Sequence, residues 1–158
     1  MKRALPWFII GGALIVSLAI VSVTDVSGTS MEPNVHTGRY LVDWFSYKFR
    51  APERGEIVIL DSPIDDRSFV KRIIGLPGET VSIQGGTIKV HDAMSSEGRT
   101  LDESYLLYSW VGDLMSRPPY YLDEDNYFVL GDNRGNSFDS RAFGPVNVEA
   151  IRGRLLAN

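Results

Sequence analysis

Ser68-Phe-Val-Lys-Arg-Ile-Ile74 reads as a β-strand that carries a lysine in its middle. Aromatic and β-branched residues favour the pleated, half-buried surface of a sheet. The stretch ends in Leu76-Pro-Gly78, which is turn chemistry. Before it, Glu56-Ile-Val-Ile-Leu60 and Tyr40-Leu-Val-Asp-Trp44 have the same strand character. After it, 80–83 and 87–90 flank Gln84-Gly85-Gly86 and predict a hairpin. Tyr127-Phe-Val-Leu130 is a further strand, running into Gly131-Asp-Asn-Arg134. Residues 91–119 have weak periodicity and read as an irregular excursion with one short helix near 101–114. The fold class is therefore mostly β.

Outward toward the N-terminus the character changes. Trp7 to Val23 reads WFIIGGALIVSLAIVSV, 17 residues without a charge. As a helix, Pro6 to Thr24 spans roughly 28 Å, close to the hydrocarbon core of a bilayer. Lys2 and Arg3 precede it, and Asp25 is the first charge after it. The positive-inside rule then gives a cytoplasmic stub of residues 1–6, a transmembrane anchor at 7–24 and an extracytoplasmic domain at 25–158. Residues 84–126 are read as a small insert in that domain. A cleaved signal peptide fits less well, because Val21-Ser22-Val23 is a poor cleavage site. A buried core helix fits poorly too, because the run has no polar face. The expectation is a single-pass plasma-membrane protein with a β domain outside.

The chain has 158 residues, 44% apolar and 23% charged, enough for one domain of ordinary size. Its formal net charge is −4, from 16 basic and 20 acidic residues, which argues against a nucleic-acid partner. It contains no cysteine. That excludes disulfides, thiolate-bound metals and a thiol nucleophile. His36 and His91 alone do not make a metal site, so neither metal nor other cofactor is expected.

A hydroxyl nucleophile served by a lysine base remains open. The lysine of such a pair must be neutral, hence desolvated or placed near other cations. Of the four lysines, Lys71 stands out among Phe69, Val70, Ile73 and Ile74. From the strand pattern alone, a solvent-facing edge lysine with Arg72 turned inward explains it as well. Ser30 lies in Ser27-Gly-Thr-Ser-Met-Glu-Pro33, which a simple linker between anchor and domain also explains.

Three blocks taken together go further: SMEP at 30–33, FVKRIIGLPGE at 69–79 and GDNRGNSFDSR at 131–141. Their order and character resemble the type I signal peptidases, membrane-anchored Ser/Lys proteases. The resemblance implies that Ser30 is the nucleophile and Lys71 the general base. It implies that Ser137 and Asp139 support the lysine and that Arg141 pairs with Asp139. Asp132, Asn133, Arg134 and Asn136 match the loop that holds these groups. Ser137 is expected to orient the lysine amine and to stand between Lys71 and Asp139. Gly28 occupies the position where the Gram-negative pattern has an oxyanion-binding serine. The oxyanion would then rest on the Ser30 backbone amide with help from Gly28. Gly28 and the short insert both resemble the minimal Gram-positive form.

The same resemblance implies an endopeptidase that removes signal peptides from exported preproteins after Ala-X-Ala-like sites, beside the secretion translocon and at the lipid bilayer. The peptide would add as a strand between residues 24–28 and 68–70. Val26, Phe69 and Val70 would line its binding site. Three other readings share the motifs or the fold. A mitochondrial inner-membrane peptidase would carry an Arg/Ser-rich presequence. A self-cleaving Ser/Lys repressor would carry a DNA-binding domain where the apolar run stands. A non-catalytic assembly factor would have lost Ser30 or Lys71.

Overall fold

Strand-forming residues dominate from Val21 onward, and eleven strands form among the described residues. The computed structural model describes residues 21–92, 98–106 and 118–156. The strands are β1 (Val21–Val26), β2 (Gly38–Asp43), β3 (Ile57–Asp61), β4 (Ser68–Gly75), β5 (Thr80–Gln84) and β6 (Thr87–His91). They continue as β7 (Arg99–Thr100), β8 (Tyr120–Tyr121), β9 (Asn126–Leu130), β10 (Val146–Asn147) and β11 (Ile151–Leu155). One four-residue helix, α1 (Ser140–Phe143), follows the GDNR segment.

Seven strands make one sheet in the order β1-β2-β11-β3-β4-β9-β10, and four make a second in the order β7-β6-β5-β8. Every registered pair is antiparallel. The expected hairpin forms, with Gln84 opposite Thr87 and Gly85 and Gly86 both at positive φ. Two positive-φ residues are what a two-residue turn of this twist requires.

The two sheets meet across β4 and β9. Ile74 and Phe128 pack with Val81, Ile83, Ile88 and Val90 from the second sheet and with Leu122, just after β8. The pairing of β4 with β9 shifts register between Ile73 and Gly75. A Cβ on Gly75 would stand 2.5 Å from Val81 Cγ2 and 2.9 Å from Phe128 Cβ, so the close approach of the sheets needs glycine here. A second cluster lies on the other face, around Val58, Leu60, Ile73, Tyr127 and Val129. A third joins Val26, Met31, Val35 and Tyr40 beneath the turn that holds Ser30.

The structure bears on three expectations. β1 begins at Val21, inside the stretch 7–24 read as an anchor. Residues 21–24 alternate in a strand paired with β2, with Val21 opposite Asp43 and Thr24 opposite Tyr40. No helix forms over 101–106, which is a turn with Leu106 N–H donating to Glu103 O at 2.9 Å. The remainder of that expected helix, 107–114, lies outside the described residues. Within the stretch 84–126, β6, β7 and β8 share a sheet with β5. The sequence reading also lacked β11, which lies between β2 and β3. Residues 1–20, the body of the expected anchor, lie outside the described residues; among the described residues no helix is long and apolar enough to cross a membrane.

Candidate active site

Lys71 belongs to the stretch of β4 that pairs on one side only. Residues 68–72 pair with β3, whereas β9 pairs with β4 only from Arg72 onward. Its side chain does not take the solvent-facing orientation that the strand pattern also allowed. Lys71 is 3% exposed, and its Nζ donates to Ser30 Oγ at 2.9 Å. The Phe69 ring lies 5.2 Å from Nζ, and Phe138 and Phe143 pack on that ring.

Burial pushes the Lys71 pKa down from 10.5 to about 8. Arg141 also lowers it, while Asp139 and Asp132 act in the raising direction. Desolvation of the charged amine decides the balance.

The turn carrying Ser30 is held by the segment after β9. Asn133 N–H donates to Ser30 O at 2.9 Å, and Asn133 Nδ2 to Thr29 O at 3.0 Å. Asn136 Nδ2 donates to Thr29 Oγ1 at 2.8 Å. A Cβ on Gly131 would overlap both Ser137 Oγ and the Ser30 carbonyl oxygen. Glycine at 131 therefore lets the two segments touch. This is the physical reason for Gly, Asn and Asn in GDNRGN.

Asp139 is fully buried. Its carboxylate accepts from Gly131 N–H at 3.1 Å and from Arg141 Nε at 2.7 Å and Nη2 at 2.8 Å. The expected Asp139–Arg141 pairing is present. Arg141 also reaches back to Arg134 O at 2.8 Å, tying α1 to the loop. Ser137 departs from its expectation. Its Oγ is buried and makes no hydrogen bond, so no Ser137 bond orients Lys71. The hydroxyl instead faces the backbone of Gly131, where lack of a side chain leaves room for it.

A cleft of about 160 Å3 opens beside Ser30 and Lys71. Val26, Phe69 and Val70 line it, together with Gly28. Met31, Val35 and Ile59 also line it, and the sequence reading did not single them out. Met31, inside the SMEP block, and Val35 belong to the turn that carries Ser30, with Val35 N–H donating to Met31 O at 3.0 Å, and Ile59 belongs to β3. Gly28 has φ +107°, a conformation natural to glycine. Its N–H donates to Thr37 Oγ1 at 3.3 Å. Thr37 is another neighbour that no sequence pattern marked. Among the described residues no cluster of His, Asp and Glu is placed to hold a metal.

A buried amine of lowered pKa, bonded to a serine hydroxyl at the end of an open strand edge, defines a class of hydrolase. In that class a hydroxyl attacks and an amine moves the proton. The comparisons agree with the class and narrow it. The family described as signal peptidase, peptidase S26, matches residues 2–157, and the chain belongs to that family of serine endopeptidases.

The chain is 38% identical to "Probable signal peptidase I-2" of Synechocystis sp., covering 82% of this chain and 58% of that relative's length. It is 33% identical to signal peptidase I of Leptolyngbya laminosa, over 91% of this chain and 71% of the relative. It is also 33% identical to signal peptidase IB of Staphylococcus aureus, over 98% of this chain and 89% of that one. The crystal structure of a signal peptidase I from Enterococcus faecalis superposes with a TM-score of 0.55 at 33% identity. That match covers 68% of this chain and 98% of the other. These relatives do not favour the mitochondrial, repressor or assembly-factor readings.

Proposed function

We propose that this chain removes signal peptides from exported preproteins, with Ser30 as nucleophile and Lys71 as general base. The observation that carries the reading is the 2.9 Å bond between Ser30 Oγ and the buried, pKa-lowered Lys71 Nζ. A neutral Lys71 accepts the Ser30 proton as Oγ attacks the scissile carbonyl. The oxyanion is met by the Ser30 N–H, with Gly28 beside it. The Lys71 ammonium then gives its proton to the departing amine, leaving the signal peptide esterified to Ser30. A water molecule that loses a proton to Lys71 attacks the ester and restores both groups.

The substrate lies extended between β1 and the open edge of β4, two strands that both line the cleft. Val26 and Val70 leave room for small side chains only. The apolar run holds the domain at the outer face of the plasma membrane, where a preprotein's own apolar segment ends and the secretion translocon delivers it.

The deciding experiment incubates the full chain in detergent with one exported preprotein and sequences the new N-terminus of the product. Cleavage after an Ala-X-Ala-like site, lost in Ser30→Ala, is expected. Undiminished cleavage by Ser30→Ala overturns the assignment.

A further inference from the structure

Residues 101–106, read from sequence as part of an irregular excursion, reach the loop that holds Ser30. Glu103 accepts from Arg134 Nη1 at 3.3 Å and Nη2 at 2.5 Å. Tyr105 O–H donates to Glu103 at 2.8 Å, and Arg134 Nη2 lies 3.1 Å from the Tyr105 oxygen. The face of the Tyr105 ring covers the Arg72 guanidinium at 4.1 Å. Tyr105 O accepts from Asn34 Nδ2 at 2.9 Å, and the same Asn34 amide donates to Asp132 at 2.9 Å. Arg72 closes the circuit with two bonds to Asp132, at 2.8 and 2.5 Å.

The charges in this circuit balance. Arg134 and Asp132 have side-chain exposures of 2% and 0%, and Arg72 and Glu103 of 11% and 12%. Two guanidinium groups thus face two carboxylates away from water. Removing one member of such a set leaves a buried charge unpaired, which is far costlier than losing a surface ion pair. Arg134 also donates through Nε to Gly131 O at 3.0 Å, and its own carbonyl accepts from Arg141. It therefore sits at the centre of the loop that grips Ser30 through Asn133. Arg72 directly follows Lys71 on β4. One short segment thus touches both the loop behind the hydroxyl and the strand of the amine.

We infer that Glu103 and Tyr105 are positioning residues, a latch that holds the Arg134 loop and Arg72 in register so that Ser30 and Lys71 stay within hydrogen-bond reach. The inference rests on the reading of Ser30 and Lys71 as the reacting pair. Neither latch residue touches the cleft, so the latch acts on the rate of chemistry and leaves peptide binding nearly untouched. A misplacement of about 1 Å between reacting groups costs about a hundredfold in rate.

The test measures kcat, KM and thermal midpoint for the full chain and for Glu103→Gln, Glu103→Ala, Tyr105→Phe and the Glu103→Ala/Tyr105→Phe double variant. Glu79→Gln serves as a reference, because Glu79 holds a comparably buried pair with Arg54 away from the cleft. Glu103→Ala lowers kcat at least about tenfold with KM within about twofold. Glu103→Gln, which keeps the shape and one acceptor, retains more of the rate. The double variant is no slower than Glu103→Ala alone, because both residues serve one latch. Glu79→Gln lowers the thermal midpoint and leaves kcat alone. If Glu103→Ala and Glu103→Gln change only the thermal midpoint, as Glu79→Gln does, the latch is refuted while the Ser30 and Lys71 reading stands. If Glu103→Ala does not fold, the outcome rests on Glu103→Gln and Tyr105→Phe, and normal kcat in both refutes the latch. Undiminished cleavage by Ser30→Ala removes both readings together.

Discussion

The buried Lys71 Nζ lies 2.9 Å from Ser30 Oγ, across 41 positions of sequence. In the proposed mechanism, the protonation state of that one amine controls the reaction. Below about pH 8 Lys71 is mostly an ammonium ion and cannot take the serine proton; above it the neutral amine dominates. At neutral pH about a tenth of the molecules are poised, against roughly one in two thousand for a free lysine. The rate of cleavage under kcat/KM conditions should rise with pH through an apparent pKa near 8. Lys71→Arg should be inactive, since arginine does not deprotonate. A flat profile across this range, or a working Lys71→Arg enzyme, points to a different base.

The lowered pKa has a cost in stability. A group whose folded pKa lies below its unfolded one binds fewer protons when folded. Stability therefore rises with pH across the window from about 8 to 10.5. Well below pH 8 the full penalty is present, about 3 kcal/mol. Lys71→Met, which fills the same space without the charge, should be more stable than the wild type at neutral pH and inactive. The gain should shrink as pH approaches 10.5, which denaturant unfolding at several pH values would read. A Lys71→Met protein less stable than wild type at neutral pH contradicts a desolvated lysine.

The strands were legible because Val, Ile, Tyr and Phe cluster in short runs between Gly and Pro turns. Hence β2, β3, β4, β9 and the β5–β6 hairpin were placed within a residue or two. The pairing of Ser30 with Lys71 was legible only through the three motifs, since strand periodicity left Lys71 free to face water. The first half of β1 was hidden because Val21 and Val23 extend an apolar run that also suits a helix, and the strand forms through pairing with β2. Glu103 and Tyr105 were invisible for a similar reason. Their partners, Arg134 and Arg72, lie 31 and 33 positions away, and no local pattern encodes such a contact.

Ser137 provides a test that separates stability from catalysis. Its buried hydroxyl has no hydrogen-bond partner, and such a group costs about 1–3 kcal/mol. Ser137→Ala should therefore leave the thermal midpoint unchanged or raise it. If the hydroxyl meets the Lys71 amine during the reaction, as the family resemblance implies, the same variant should lose activity. Full activity together with raised stability would show that the hydroxyl has no part in the chemistry.

Specificity should follow from the walls of the cleft. Val26 and Val70 stand beside Ser30 on the walls of the cleft. Substrates with alanine one and three residues before the cut should be cleaved. Leucine in the position next to the cut must overpack the pocket, at roughly 1–3 kcal/mol, or move the scissile carbonyl away from Ser30 at a greater cost in rate. Val70→Ala removes two methyl groups from the wall, and a pocket discriminates by roughly 1–3 kcal/mol per methylene. The variant should gain cleavage after larger residues while cutting after alanine less well, read as a ratio of kcat/KM values on paired substrates. An unchanged ratio would move the pocket away from Val70, toward Met31, Val35 and Ile59 on the other walls of the cleft.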